Sequence, residues 1–239
     1  MIKKYIPKKA KLRLKVFLRK WKDNFNGTAK RFAVEKRTIP HTYTLEFEQP
    51  IHYNPLAQNK IENIKLAAAQ IEPIIINQND IFSFWELVGN PTKESGYKTG
   101  RNIIGDHLQE DIGGGLCQIS GIIYHLALSA GLKIDERFCH TIDLYEEDKR
   151  YTPIGTDATV VYGYKDVRFV NNKKQSFKFS FETHQERFIG RLYSDKPIFE
   201  HKLEFERKEF HNYRTVDTYR HSLEKSREFI NQSKYLLPR

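Results

Sequence analysis

Cysteine is scarce in this sequence, which contains only Cys117 and Cys139 among 239 residues. Two cysteines are too few for the disulfide framework of a small secreted scaffold, so a reducing compartment is the simpler expectation. The sequence also lacks a Cys-x-x-Cys pair or any other regular spacing of metal ligands, which argues against a site built from Cys117, Cys139 and His140. We therefore expect neither a bound metal nor a cofactor.

Long apolar runs are missing as well. Within residues 1–37 the longest run is Val16-Phe17-Leu18, far shorter than the apolar core of a secretory signal or the roughly 20 residues that span a membrane. This absence predicts a protein of the cytoplasm or of the cytoplasmic membrane face. Hydrophobic residues nevertheless make up 39% of the chain, which is enough for one substantial core.

Positive charge is concentrated at the N-terminus. Residues 1–37 contain 14 Lys and Arg against two acidic residues, a balance of +12, so residues 38–239 sum to −2 within the net charge of +10. Large apolar residues in this segment follow the i, i+3, i+4, i+7 spacing of one helix face: Leu14, Phe17, Leu18 and Trp21. The pattern predicts a basic amphipathic helix that either contacts an anionic membrane surface or packs on its own domain. No recognition motif accompanies the charge, so nucleic acid is not an expected partner.

The clearest chemical motif is the run from Gly113 to Gly115 that leads into Cys117. From Ile119 onward the apolar residues recur with the spacing of a buried helix face, which places Cys117 in the first turn. Unpaired N–H groups and the helix dipole favour negative charge there, so the thiol would ionise below its ordinary pKa of about 8.5. Glycines also allow close approach of a substrate, and N–H groups near Gly115–Gln118 could hold an oxyanion. The alternative is a buried structural cysteine beside a flexible turn.

Alternating apolar residues mark several strands, most of them in the C-terminal half of the chain. Phe177, Phe179 and Phe181 alternate strictly, and residues 156–162 and 166–170 suggest a hairpin. The expected fold is α+β, with a central helix that carries the Gly-Gly-Gly-x-Cys turn at its N-terminus and packs on a mainly antiparallel sheet.

A cysteine nucleophile needs a base, usually histidine, which a carboxylate or amide then orients. Cys117 is the candidate nucleophile, His140 the base, and Asp157 the orienting group or a substrate contact, because each lies at the end of a predicted element. Each residue also has an ordinary structural explanation. His140 could be a satisfied surface histidine, Asp157 a turn cap, and Gln118 either an oxyanion donor or a helix cap.

Several motifs, in this order along the chain, resemble the VanW family. They are Gln58-Asn59-Lys60, Phe82-Ser83-Phe84-Trp85, Gly113-Gly114-Gly115-Leu116-Cys117-Gln118, Glu136-Arg137-Phe138-Cys139-His140, Gly155-Thr156-Asp157-Ala158-Thr159-Val160 and Asp166-Val167-Arg168-Phe169-Val170-Asn171-Asn172. An ordered set of motifs is far more specific than a lone glycine run, and the resemblance covers roughly residues 54–195. We accordingly divide the chain into a basic amphipathic segment (1–37), a VanW-like domain (38–210) and a charged C-terminal helix (211–239).

The resemblance implies a link to the bacterial cell wall. VanW proteins accompany some glycopeptide (vancomycin) resistance clusters, and VanW domains of some exported proteins are similar to cysteine-dependent L,D-transpeptidases acting on peptidoglycan. Carried over to this chain, it makes Cys117 the nucleophile and His140 the matching histidine, whereas Phe138 stands where the family often has another histidine. The same motifs supply the expected substrate-binding residues: Gly113, Gly114, Gly115, Gln118 and Thr156.

Three functional hypotheses follow from the motifs. The first is an L,D-transpeptidase-like acyl transferase that forms a thioester at Cys117, with a peptidoglycan peptide or precursor as its partner. The second is a non-catalytic module that binds peptidoglycan precursor or the membrane surface. The third is a thiol hydrolase or redox protein, which proximity of Cys139 to Cys117 would favour. The sequence leaves the oligomeric state open.

Overall fold

The computed structural model describes residues 7–40, 42–52, 54–104, 107–143, 150–184, 186–222 and 226–237, with the backbone alone for residues 102–104 and 107–109. Within these residues the chain forms four α-helices, one short 3₁₀ helix and twelve strands in antiparallel sheets. The predicted α+β class is therefore confirmed.

The element bounds follow in chain order. The helices are α1 (Lys8–Phe25), the 3₁₀ helix (Thr28–Arg31), α2 (Ala57–Ile71), α3 (Phe84–Val88) and α4 (Leu116–Ser129). The strands are β1 (Tyr43–Pro50), β2 (Ile75–Ile76), β3 (Ile81–Ser83), β4 (Thr99–Ile104), β5 (His107–Ile112), β6 (Lys133–Glu136), β7 (Arg168–Val170), β8 (Phe177–His184), β9 (Arg187–Ser194), β10 (Leu203–Glu209), β11 (Tyr213–Arg220) and β12 (Glu228–Leu236).

Helix α4 lies at the centre of the main core. Its residues Ile119, Ile122 and Ile123 are fully buried, and the helix packs on α2 and on strands β1 and β9. These strands belong to a four-stranded sheet with the order β1-β9-β8-β2, whose described pairings are antiparallel. A Cβ on Gly190 of β9 would lie only 2.1 Å from the Ile122 side chain, so a glycine is required where the helix crosses the strand.

The charged C-terminal helix predicted for residues 211–239 is wrong. Strands β10, β11 and β12 form an antiparallel three-stranded sheet over this part of the chain. Charged residues of this segment pair across the sheet instead, as Arg220 of β11 does with Glu228 of β12 and Arg227 with Glu204 of β10. The boundary at residue 210 is wrong for the same reason, because it would cut this sheet between β10 and β11.

The hairpin predicted from residues 156–162 and 166–170 forms only at its tip. A tight turn pairs Val161 with Lys165, but β7 pairs with β3 and β6 rather than with residues 156–162. The alternation over 156–162 has another cause. Ala158 and Val160 are buried, while the Ala158 carbonyl accepts a hydrogen bond from Ser120 of α4 at 2.6 Å.

The N-terminal segment forms the predicted helix, α1, and ion pairs fix it to the body. Arg168 makes a bidentate pair with buried Asp23 at 2.8 and 2.9 Å, and Arg19 pairs with Glu136 at 2.7 Å. The opposite face points outward, since its four large apolar residues are exposed by about half of their surface or more: Leu14, Phe17, Leu18 and Trp21. No helix in the described part of the chain is both long and apolar enough to cross a membrane.

Candidate active site

The glycine run places Cys117 at the start of α4, as the sequence predicted. Gly113 and Gly115 have φ angles of +84° and +102°, which L side chains rarely adopt. Gly114 has a different constraint. A Cβ there would lie 2.4 Å from the backbone of Gly100 in β4, so two main chains in close contact explain this glycine.

His140 and Asp157 meet as expected for a base and its orienting carboxylate. One oxygen of Asp157 lies 2.7 Å from Nδ1 of His140 and also accepts the His140 backbone N–H at 2.7 Å. Two contacts from one residue to one oxygen fix the imidazole ring. The second ring nitrogen, Nε2, is thereby left available to the Cys117 thiol. The thiol lies near enough to His140 for that ring to lower its pKa, and its sulfur lies 4.0 Å from the Val160 carbonyl oxygen.

Ionisation of these three groups is strongly coupled. Burial raises the pKa of the Cys117 thiol, but the hydrogen bond and positive charge of His140 outweigh it, so this pKa is lowered overall. Burial lowers the pKa of His140, but its bonds to Asp157 and Cys117 raise it well above the ordinary value. Burial raises the pKa of Asp157, whereas the charge of Arg137 and the His140 bond hold it far below its ordinary range. Both shifts favour the thiolate and the imidazolium relative to the same groups without their partners.

A buried arginine holds Asp157 in place. The Arg137 side chain is 5% exposed and donates to the Asp157 carboxylate at 3.0 Å, to the Asp157 carbonyl at 2.8 Å and to the Gly155 carbonyl at 3.1 Å. Tyr235 of β12 donates a further hydrogen bond to the carboxylate. The C-terminal sheet thus reaches the site directly.

The oxyanion donors expected near Gly115–Gln118 are reduced to two. The Leu116 N–H donates to the Gly113 carbonyl and the Gln118 N–H to the Gly115 carbonyl. Both groups close the first turn of α4. The N–H groups of Gly115 and Cys117 donate to no acceptor among the described residues, so they are the groups available to an oxyanion, and that of Cys117 belongs to the thiol's own residue.

Two cavities meet at the Cys117–His140 pair, because both residues line each of them. The first has a volume of about 480 Å³ and is also lined by Gln49, Lys60 and Gln118. The second, of about 690 Å³, extends from the pair towards α1 and is also lined by Gly113. Groups bound in the two cavities could therefore approach the same sulfur from different sides.

The predicted substrate-binding residues divide between these cavities and the core. Gly115 and Gln118 line the first cavity and Gly113 the second. Gly114 packs on backbone, and Thr156 is fully buried with its hydroxyl donated to the Pro153 carbonyl at 2.8 Å. Thr156 therefore shapes the turn that precedes Asp157 rather than lining a cavity.

The remaining motif residues have other surroundings. Phe138, in the position of the missing histidine, is 38% exposed and lies under the Lys165 amine, so the three-residue arrangement forms without that histidine. Cys139 carries a free thiol, as Cys117 does, and it packs on the small cluster around Tyr235. No group of three or more His, Cys, Asp and Glu suited to a metal ion occurs in the described part of the chain.

Four residues of the site were outside the sequence prediction: Arg137, Tyr235, Lys60 and Gln49. Arg137 and Lys60 lie within quoted motifs, and this position was the available signal. Tyr235 had none, because its strand was predicted to be helical. Gln49 is an ordinary polar residue of β1, and nothing local distinguishes it.

The fold and the site define an α+β protein with a Cys-His-Asp arrangement at the N-terminus of its central helix. Comparison with known proteins identifies the family: residues 59–193 match the family model described as VanW like protein. The chain belongs to the VanW family. No solved structure matches it significantly.

Two curated relatives support the assignment. The chain is 33% identical over 166 residues to the "Uncharacterized protein YoaR" of Bacillus subtilis (strain 168). The aligned region covers 69% of this chain and 53% of that protein. It is 31% identical over 177 residues to the "Vancomycin B-type resistance protein VanW" of Enterococcus faecalis (strain ATCC 700802 / V583), covering 72% of this chain and 64% of that protein. The matched region thus spans between half and two thirds of each relative.

Proposed function

We propose that this protein is a cysteine acyl transferase of L,D-transpeptidase type that acts on cell-wall peptides. One observation carries the proposal, namely the proximity of Cys117 to a histidine whose Nδ1 is held by the partly buried carboxylate of Asp157. This is the arrangement that activates a thiol for attack on an amide. The family name connects such proteins with vancomycin resistance, and peptidoglycan peptides are the corresponding substrate class.

The first half-reaction makes a thioester. The Cys117 thiolate attacks the carbonyl carbon of a peptide bond, and the Cys117 N–H stabilises the resulting oxyanion. When the C–N bond breaks, protonated His140 gives its proton to the leaving amine. The acyl group is then bound to sulfur, and the imidazole is neutral.

The second half-reaction transfers the acyl group. Neutral His140 takes a proton from an acceptor amine while that nitrogen attacks the thioester carbon, and the C–S bond breaks to restore thiolate and imidazolium. The meeting of two cavities at Cys117 and His140 supports an amine as acceptor, because donor and acceptor can then be bound together. Water in the second cavity would give hydrolysis instead.

Intact-protein mass spectrometry tests the proposal. We expect the Cys139→Ser protein, incubated with a cell-wall tetrapeptide, to gain the mass of an acyl group, and an added amine to remove that mass. The matched control is Cys117→Ser with Cys139 intact, which should gain nothing. A Cys139→Ser protein that stays unmodified while binding the peptide would favour the non-catalytic binding module.

We also propose that α1 lies on an anionic membrane surface. Its ion pairs with the body leave the face of Leu14, Phe17 and Trp21 exposed, and residues 1–37 carry a balance of +12. Apolar residues that insert shallowly within a basic segment match the chemistry of anionic lipid. Docking there would bring the second cavity, which is partly lined by Lys8 and Lys11, close to the lipid headgroups.

A further inference from the structure

Lys60 is a cation in the first cavity without a described carboxylate partner. Its amine lies 3.4 Å from the Tyr151 hydroxyl and 4.4 Å from the centre of that ring. Burial alone lowers the pKa of Lys60 to about 8, so the amine is still mostly charged at pH 7. The side chain also crosses Gly115, where a Cβ would lie 2.7 Å from its Cγ. Lys60 is thus held against the turn that precedes Cys117.

Two glutamines that line the same cavity have buried side-chain oxygens to which no group donates a hydrogen bond among the described residues. Gln49 is 1% exposed and Gln118 is 8% exposed, and the side-chain oxygen of each accepts no hydrogen bond from the described residues. The Gln118 amide is oriented, because its nitrogen donates to the Pro50 carbonyl at 2.9 Å. A buried carbonyl oxygen without a donor is unfavourable, and a small rotation that turns it towards a ligand N–H in the cavity would satisfy it.

The other charges of the cavity are already paired. Arg150 pairs with Asp143, which also takes Arg214 at 2.6 Å. The Asp157 carboxylate pairs with His140 and with Arg137. Among the described residues of the cavity, positive charge without a carboxylate therefore remains at Lys60, together with exposed Arg101 at the rim.

From this placement we infer that the cavity binds an acyl donor with a free carboxylate, which Lys60 holds while Gln118 and Gln49 accept peptide N–H groups. The inference rests on the proposed function for the role of this peptide as donor. It adds the substrate class, since a peptide whose carboxylate is amidated would lose the ion pair with Lys60. A charge-assisted hydrogen bond contributes about 1.5–3 kcal/mol, which corresponds to about 10- to 100-fold in affinity.

Binding to the Cys117→Ser protein tests the inference without requiring chemistry. Calorimetric titration would compare Nα,Nε-diacetyl-L-lysyl-D-alanine with its C-terminal carboxamide. We expect the acid to bind at least about tenfold more tightly than the amide. Equal affinities, or no binding of either peptide, would overturn the inference whether or not any Lys60 variant folds.

Variants assign the effect to residues. Lys60→Met should abolish the preference for the acid, whereas Lys65→Met, on the exposed face of the same helix, should preserve it. Gln118→Leu should weaken the acid and the amide alike, because it accepts an N–H that both ligands carry. A preference for the acid that survives Lys60→Met would contradict the assignment.

The two proposals fail in different ways. Thioester formation at equal rates from the acid and the amide would leave the acyl transferase in place and remove the carboxylate site. Tight, Lys60-dependent binding of the acid without any thioester in the Cys139→Ser protein would leave the carboxylate site in place and remove the acyl transferase.

Discussion

At the residue scale, the glycines before Cys117 do different work although they are adjacent in sequence. Gly113 and Gly115 adopt positive φ angles, and Gly115 also leaves room for Lys60. Gly114 has no cavity beside it and touches the backbone of Gly100. The sequence predicted a shared role in substrate binding, because a run of identical residues carries no information about which contact each one makes.

The structural role of Gly114 makes a direct prediction. Gly114→Ala should lower the free energy of unfolding by about 1–3 kcal/mol through overpacking against Gly100. Gly121→Ala in α4 is the matched control, since a Cβ there meets its nearest atom at 3.7 Å and removal of a helical glycine is favourable by about 0.5–1 kcal/mol. Thermal unfolding of both variants checks this. An unchanged melting temperature for Gly114→Ala would contradict the close contact.

At the element scale, sequence patterns predicted helices better than strand partners. The apolar period after Ile119 gave α4 and with it the position of Cys117. Strands β11 and β12 were missed because their apolar residues, among them Tyr219, Phe229 and Ile230, are spaced within a charged segment in a way that also fits one face of a helix. The hydrogen bond from Tyr235 to Asp157 was therefore also missed. It forms because β12 lies beside Ile142, where Leu236 makes a bridge to it.

Helix α1 yields the second prediction. Vesicles of phosphatidylcholine containing phosphatidylglycerol should bind the protein more strongly than vesicles of phosphatidylcholine alone, and added salt should weaken this binding. Replacing both Phe17 and Trp21 by Ser should lower affinity roughly tenfold or more. The control pair is Val34→Ser with Phe199→Ser, which removes exposed apolar side chains elsewhere. Co-sedimentation with the vesicles measures the binding. Equal binding to both vesicle types would contradict the proposal that α1 lies on an anionic membrane surface.

At the scale of the whole molecule, the site combines residues from distant parts of the chain. Cys117, His140 and Asp157 were predictable because each ends a local element and belongs to an ordered family motif. Lys60 and Gln49 approach the thiol only through the packing of α2 and β1 around α4, which no local pattern encodes. The sequence therefore predicted the three candidate catalytic residues, whereas the residues that line the cavities around them required the three-dimensional arrangement.

The central claim is that Cys117 and His140 form an activated pair, and the pH dependence of Cys117 alkylation tests it most directly. In Cys139→Ser protein, the thiolate should be present well below the ordinary pKa of about 8.5, because protonated His140 stabilises it until the raised pKa of that ring is passed. Adding His140→Ala should move the alkylation profile to higher pH, since the largest contributions that oppose the effect of burial on the thiol come from His140. A profile centred near 8.5 or above that does not respond to His140→Ala would contradict the pair.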